Sequence, residues 1–122
     1  MGESNVILIR RVNGPSLKFR GERLAHTKPD HANRAEEGRG WTEFEVYLTA
    51  GKSIVIVVLK KGRSIDRTWA FIADSWQEVK EAFDHGEKDG VRISWSALTV
   101  QLIEKASAIC PEAAEILMET VR

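Results

Sequence analysis

The hydrophobic pattern of this chain changes period at Asp74, and no other feature constrains its fold as tightly. Up to Ala73 apolar residues tend to alternate, as side chains do along a β-strand; from Asp74 onward they recur about every 3.6 residues, the spacing of an α-helix. Strands followed by helices do not wind into alternating βαβ units. The expected fold is therefore α+β: a single antiparallel β-sheet of about five strands followed by two to three C-terminal helices packed on one face. At 122 residues the chain is expected to form one domain, 1–122, with a modest core that needs neither disulfide nor metal.

The strand half divides at its turn residues. Val6 to Val12 is apolar with paired arginines, and Asn13-Gly14 is a strong hairpin signal. Leu17 and Phe19 alternate with Lys18 and Arg20. The polar stretch from His26 to Gly40, with Pro29, Gly38 and Gly40, predicts a mobile loop. Beyond it Phe44, Val46 and Leu48 point one way, and Glu43, Glu45, Tyr47 and Thr49 the other. Ala50-Gly51-Lys52 predicts a tight turn. The β-branched run Ser53 to Leu59 predicts a central strand covered on both faces, and Trp69 to Ile72 one more strand.

In the helical half, Ser75 and Glu78 have the spacing of a capping box and Gly86 supplies a helix stop. Trp76, Val79 and Phe83 share a face of that first helix. A polar connection, Glu87 to Arg92, leads to a second helix from about Ser96 with Leu98, Leu102, Ala106 and Ile109 inward. Pro111 suits the first turn of a third, with Ala114, Leu117, Met118 and Val121 as its expected buried stripe.

Charge is divided in the same way as structure. Residues 1–73 carry 13 Lys and Arg against 8 Asp and Glu, whereas residues 74–122 carry 5 against 10. If the sheet has an open face, that face is basic and the helical layer acidic, an arrangement that steers and orients an acidic partner. Lys18, Arg20 and Tyr47 are the expected members of that face, joined by Arg10 or Arg11 according to register. Trp41 and Trp95, at the starts of elements, are candidate interface anchors, because tryptophan is enriched at binding hot spots.

Motifs for catalysis are weak. Gly51-Lys52-Ser53 ends like a phosphate-binding loop, but Val46 stands where that motif needs glycine and a strand follows where it needs a helix. His26, Asp30 and His31 are the clustered candidates for metal ligands or acid–base groups, in a flexible segment without a nearby cysteine. No metal or cofactor is expected. Cys110 is expected to behave as a small half-buried hydrophobe. As the lone cysteine it leaves no internal disulfide and fits a reducing compartment. The Val6–Ile9 run is too short for a signal-peptide core, and no run approaches the ~18 apolar residues of a membrane span. A cytoplasmic location without membrane contact is expected.

Phe19-Arg20-Gly21-Glu22-Arg23-Leu24-Ala25, then Trp41-Thr42-Glu43 and Val46-Tyr47-Leu48-Thr49-Ala50-Gly51, resemble the small bacterial EXLDI-type proteins. Asp74-Ser75-Trp76-Gln77-Glu78-Val79 and the terminal helices around Pro111 are similar to the same family, over residues 17–122; its terminal Glu-x-Leu-Asp-Ile signature is not present here. The resemblance implies a small α+β protein of the kind carried by plasmids and other mobile elements, and implies no catalytic residue. The expected function is a non-enzymatic protein-binding accessory, regulator or inhibitor from a phage or plasmid context, anti-defence inhibitors being one such class. The expected partner is a protein, a second copy included. A nucleic-acid-binding module using the basic sheet face is the alternative, and a small enzyme or nuclease at His26, Asp30 and His31 is the third reading.

Overall fold

A computed structural model describes residues 5–29, 40–62 and 66–118. Its strands are β1 (Asn5–Ile9), β2 (Leu17–Thr27), β3 (Trp41–Thr49), β4 (Ile54–Lys61) and β5 (Arg67–Ala73). Each pairs antiparallel with the next, so the sheet order is the chain order. There follow α1 (Trp76–His85), a small hairpin of β6 (Glu87–Lys88) and β7 (Val91–Arg92), α2 (Ala97–Ser107) and a 3₁₀ helix (Pro111–Leu117). The α+β class read from the change of period holds.

The sheet has two apolar faces because it curls. On the outer face Phe44, Val46, Ile54, Ile56, Val58 and Phe71 join Val79 and Phe83 of α1 and Leu102, Ile103 and Ala106 of α2 in the main core. On the inner face a smaller cluster forms from Ile9, Val55, Val57 and Ala70, with Ile7, Leu17, Phe19, Tyr47 and Leu59 half-buried around it. That second cluster is why Ile54 to Val58 are all buried, as an unbroken β-branched run demands. It also corrects the picture of an open, basic sheet face: much of that face is filled by apolar side chains of β1, β2 and β4.

The curl is fastened at Asn13. Its Oδ1 accepts from the Ala70 N–H at 3.1 Å and its Nδ2 donates to the Ala70 carbonyl at 2.9 Å, so a side-chain amide takes the place of a neighbouring strand. The Val12 N–H donates to the Thr68 carbonyl, and Arg11 Nη1 reaches the same Ala70 carbonyl at 2.9 Å. Residues 11–13 thus close the β5 edge, which would otherwise present unpaired backbone groups.

Two local features set register. Gly21 lies where a Cβ would collide with the Leu48 carbonyl, so β2 and β3 approach closely there. Just beyond, Arg23 faces Tyr47 but Ala25 faces Val46, which leaves Leu24 as the extra residue of a β-bulge. Leu24 and Ala25 are both buried in the main core.

The helix boundaries follow their caps. The Ser75 side chain accepts from the Glu78 N–H, Glu78 accepts from Asp74 N–H, and Gly86 ends α1 in the left-handed region. Ser96 and Thr99 form the capping box of α2, and that buries Thr99. The inward face is consequently Thr99, Leu102, Ile103 and Ala106, with Leu98 half-buried and Ile109 54% exposed, a rotation from the expected stripe. The last helix differs more. It is wound with about three residues per turn, which aligns Cys110, Ala113 and Ile116 on the core; of the expected stripe Ala114 and Leu117 are half-buried, Leu117 against that core, and Met118 is exposed. Val121 lies outside the described residues. The expected loop from His26 to Gly40 begins later, because β2 runs to Thr27, whereas β3 starts at Trp41 as expected; residues 30–39 lie outside the described residues.

Candidate functional site

Polar side chains gather in two places, on opposite faces of β2. On the inner face the bulge brings Arg23 and His26 to the same side, across from Tyr47 and Glu45 of β3. Arg23 Nη1 lies 3.1 Å from Glu45 Oε2, and the Tyr47 hydroxyl donates to Glu45 Oε1 at 3.0 Å. His26 Nε2 lies 2.7 Å from Glu43 Oε1, while the Trp41 indole N–H donates to Glu43 Oε2 at 2.7 Å.

The electrostatics follow from these contacts. Burial works to raise the Glu43 pKa, but hydrogen bonds from Trp41 and His26 and the nearby charges of His26 and Lys61 together hold it below the usual carboxylate value. Glu43 is thus a carboxylate, and His26 Nε2 carries the shared proton. Tyr47 is pushed up to about 12, chiefly by burial, then by the charge of Glu45 and the hydrogen bond to it. Both carboxylates have a partner on each oxygen from within the chain. Chemically the cluster is a polar seam that joins β2 to β3 on the inner face, with its ionic groups already matched.

The outer face of the same strand contrasts with this. Val6 and Leu8 of β1 are 51% and 59% exposed, and they pair directly across from Arg20 and Lys18. Opposed residues of an antiparallel pair share a face, so these four form one ledge, half apolar and half basic. Glu22 comes next along β2 and lines a groove of about 850 Å³ between the β3–β4 turn, the start of α1 and the 3₁₀ helix. Leu48, Ile54 and Trp76 contribute its apolar lining; Asp74, Glu112 and Glu115 add carboxylates, and Lys52 is its basic residue. Among the described residues none of Lys18, Arg20, Glu22, Glu112 and Glu115 forms an ion pair.

The residues proposed from sequence therefore separate. Lys18 and Arg20 share the exposed ledge and Arg10 is exposed just beyond β1, but Tyr47 faces the other way and packs edge-to-face on Phe19 at 5.8 Å. Alternation fixes this, because Phe19 sits between Lys18 and Arg20. The stacking surface that a single-stranded nucleic acid needs beside its basic groups is thereby turned inward. Arg11 is half-buried and holds the Ala70 and Pro15 carbonyls, a structural role. Trp41 and Trp95 are half-buried, each with its indole N–H on a carboxylate; Trp95 donates to Asp84 at 2.7 Å and packs edge-to-face on Phe83.

His26 belongs to β2, not to a loop, and Asp30 and His31 lie outside the described residues. Among the described residues no group of three or more His, Cys, Asp and Glu is placed to hold a metal ion, and no helix is long and apolar enough to cross a membrane. Sequence reasoning missed Arg23, Glu43 and Glu45 as a unit. Their signal was present in the alternation that set Glu43, Glu45 and Tyr47 on one side of β3, but the bulge that brings His26 to them has no local signature. No protein-family model matches the chain, and neither a curated protein nor a solved structure does.

Proposed function

We propose that this chain is a non-enzymatic protein-binding module whose contact surface is the outer ledge of β1 and β2. One observation carries the reading: Val6 and Leu8, more than half exposed, stand directly across from Arg20 and Lys18 on an edge strand. An edge strand offers open backbone groups for pairing, and exposed apolar side chains beside cations that have no ion pair among the described residues offer both area and steering to a partner. The inner face supports the same reading by contrast, because its ionic groups are matched within the chain. A regulator or inhibitor acting by occupation of a partner's surface needs nothing beyond such a ledge.

The experiment compares immobilised wild-type protein with Lys18→Glu/Arg20→Glu and with Leu8→Asp in quantitative capture of host proteins. Each variant is expected to lose at least tenfold of its specific capture, about 1.4 kcal/mol, with an unchanged melting temperature. Capture equal to wild type by both folded variants overturns the reading.

A further inference from the structure

The ledge and the groove next to it have opposite character. Lys18 and Arg20 are exposed on β2, with no ion pair among the described residues; Glu22, two residues further along the same face, begins the groove that Glu112, Glu115 and Asp74 line. Two residues along a strand is about 7 Å, so the basic and acidic patches adjoin. Each carries exposed apolar area: Val6 and Leu8 on the ledge, Ile109 in the groove.

Adjoining patches of opposite sign are self-complementary under a two-fold rotation. An axis passing between them lays the ledge of one copy on the groove of the other, twice over, as a closed isologous contact requires. We infer that the partner of this ledge is a second copy of the chain, seated with Lys18 and Arg20 against the Glu112 and Glu115 of that copy. The inference rests on the ledge being a protein-binding surface and names its occupant. Three features distinguish this pairing from one with an unrelated protein. Among the described residues the charges on both patches have no ion-pair partner, the apolar residues on both are exposed, and both patches lie on one side of the molecule. In the dimer Val6, Leu8 and Ile109 leave water together, and unpaired cations meet unpaired carboxylates.

A charge swap tests it. Lys18→Glu/Arg20→Glu makes the ledge acidic, and Glu112→Lys/Glu115→Lys makes the groove basic; both pairs are exposed, and circular dichroism checks that each variant folds. By sedimentation equilibrium over a concentration series, wild type is expected to dimerise, and each variant alone to weaken the dimer at least tenfold. An equimolar mixture of the two variants is expected to restore it, because both contacts of the mixed dimer then pair opposite charges. A wild-type monomer at every concentration overturns the inference, as does a dimer insensitive to either variant, or a mixture no stronger than its components. Ledge-dependent capture of another protein by a monomeric wild type would overturn the second copy as occupant and leave the binding reading standing. Loss of both would remove the two together.

Discussion

One strand, β2, faces two environments with the same kinds of side chain, and the two differ in where the charges find their opposites. Inward, Arg23 meets Glu45 and His26 meets Glu43, within 3.1 Å and 2.7 Å. Outward, Lys18, Arg20 and Glu22 meet solvent. A partly buried charge without a partner is costly, so the inner face can hold ionic groups only as matched sets. An exposed charge bears no such cost and remains available to another molecule. Inner residues should therefore register in stability and outer ones in association.

The largest expected stability effect is at Asn13, which holds the inner face shut. Asn13→Ala leaves the Ala70 N–H without its partner and the Ala70 carbonyl with Arg11 alone, and should destabilise by about 2 kcal/mol in urea or thermal unfolding. Asn13→Asp should be at least as severe, since a carboxylate can accept from Ala70 but cannot donate to its carbonyl or to Asp89. If Asn13→Asp is neutral, the amide is not acting as a strand.

Glu43 comes next. Its folded pKa is depressed, so the stability it contributes is fully present above the ordinary glutamate value and is lost as the pH falls through the lower folded value. Glu43→Gln should cost about 1.5 kcal/mol at neutral pH, in line with hydrogen bonds to a charged group. That deficit should shrink as the buffer is acidified through the carboxylate range. A constant deficit from neutral to acid pH would separate Glu43 from the seam.

The smallest effect is the one the comparison most needs. Lys18→Ala/Arg20→Ala should change the unfolding free energy by no more than about 0.5 kcal/mol, because exposed side chains without partners contribute little to the fold. The measurement should be made at a concentration low enough to keep the protein monomeric. A destabilisation as large as that at Glu43 would mean that the ledge carries the fold and would erase the contrast between the faces.

Legibility in the sequence follows the range of the interaction. The β3–β4 hairpin, the Ser75 cap and the Gly86 stop depend on residues within a few positions of one another, and each appears where its residues predict it. Asn13 shows the limit. Its presence before Gly14 reads as turn chemistry, yet its amide is used on Ala70, 57 residues away. The basic sheet face failed for a related reason. Ile7 and Ile9 read only as a strand of their own, and nothing local says that β1 folds back over Val55 and Val57. Cys110, Ala113 and Ile116 misled in another way, because a three-residue turn and a 3.6-residue turn select different sets from the same short apolar run. The ledge itself was half legible: alternation isolates Lys18 and Arg20, but only pairing with β1 sets Leu8 and Val6 across from them.

The bulge at Leu24 acts as a phase lock. Before it the odd-numbered residues of β2 face inward, and after it His26, an even one, does. A strand with uniform alternation can slide along its neighbour in steps of two and preserve every inside and outside assignment; a strand whose parity flips once has a single position at which both halves fit. Lys18 and Arg20 therefore occupy fixed rows relative to the groove. Any partner meets these charges at one spacing, and a one-residue slip would expose Phe19 and drive Arg20 inward.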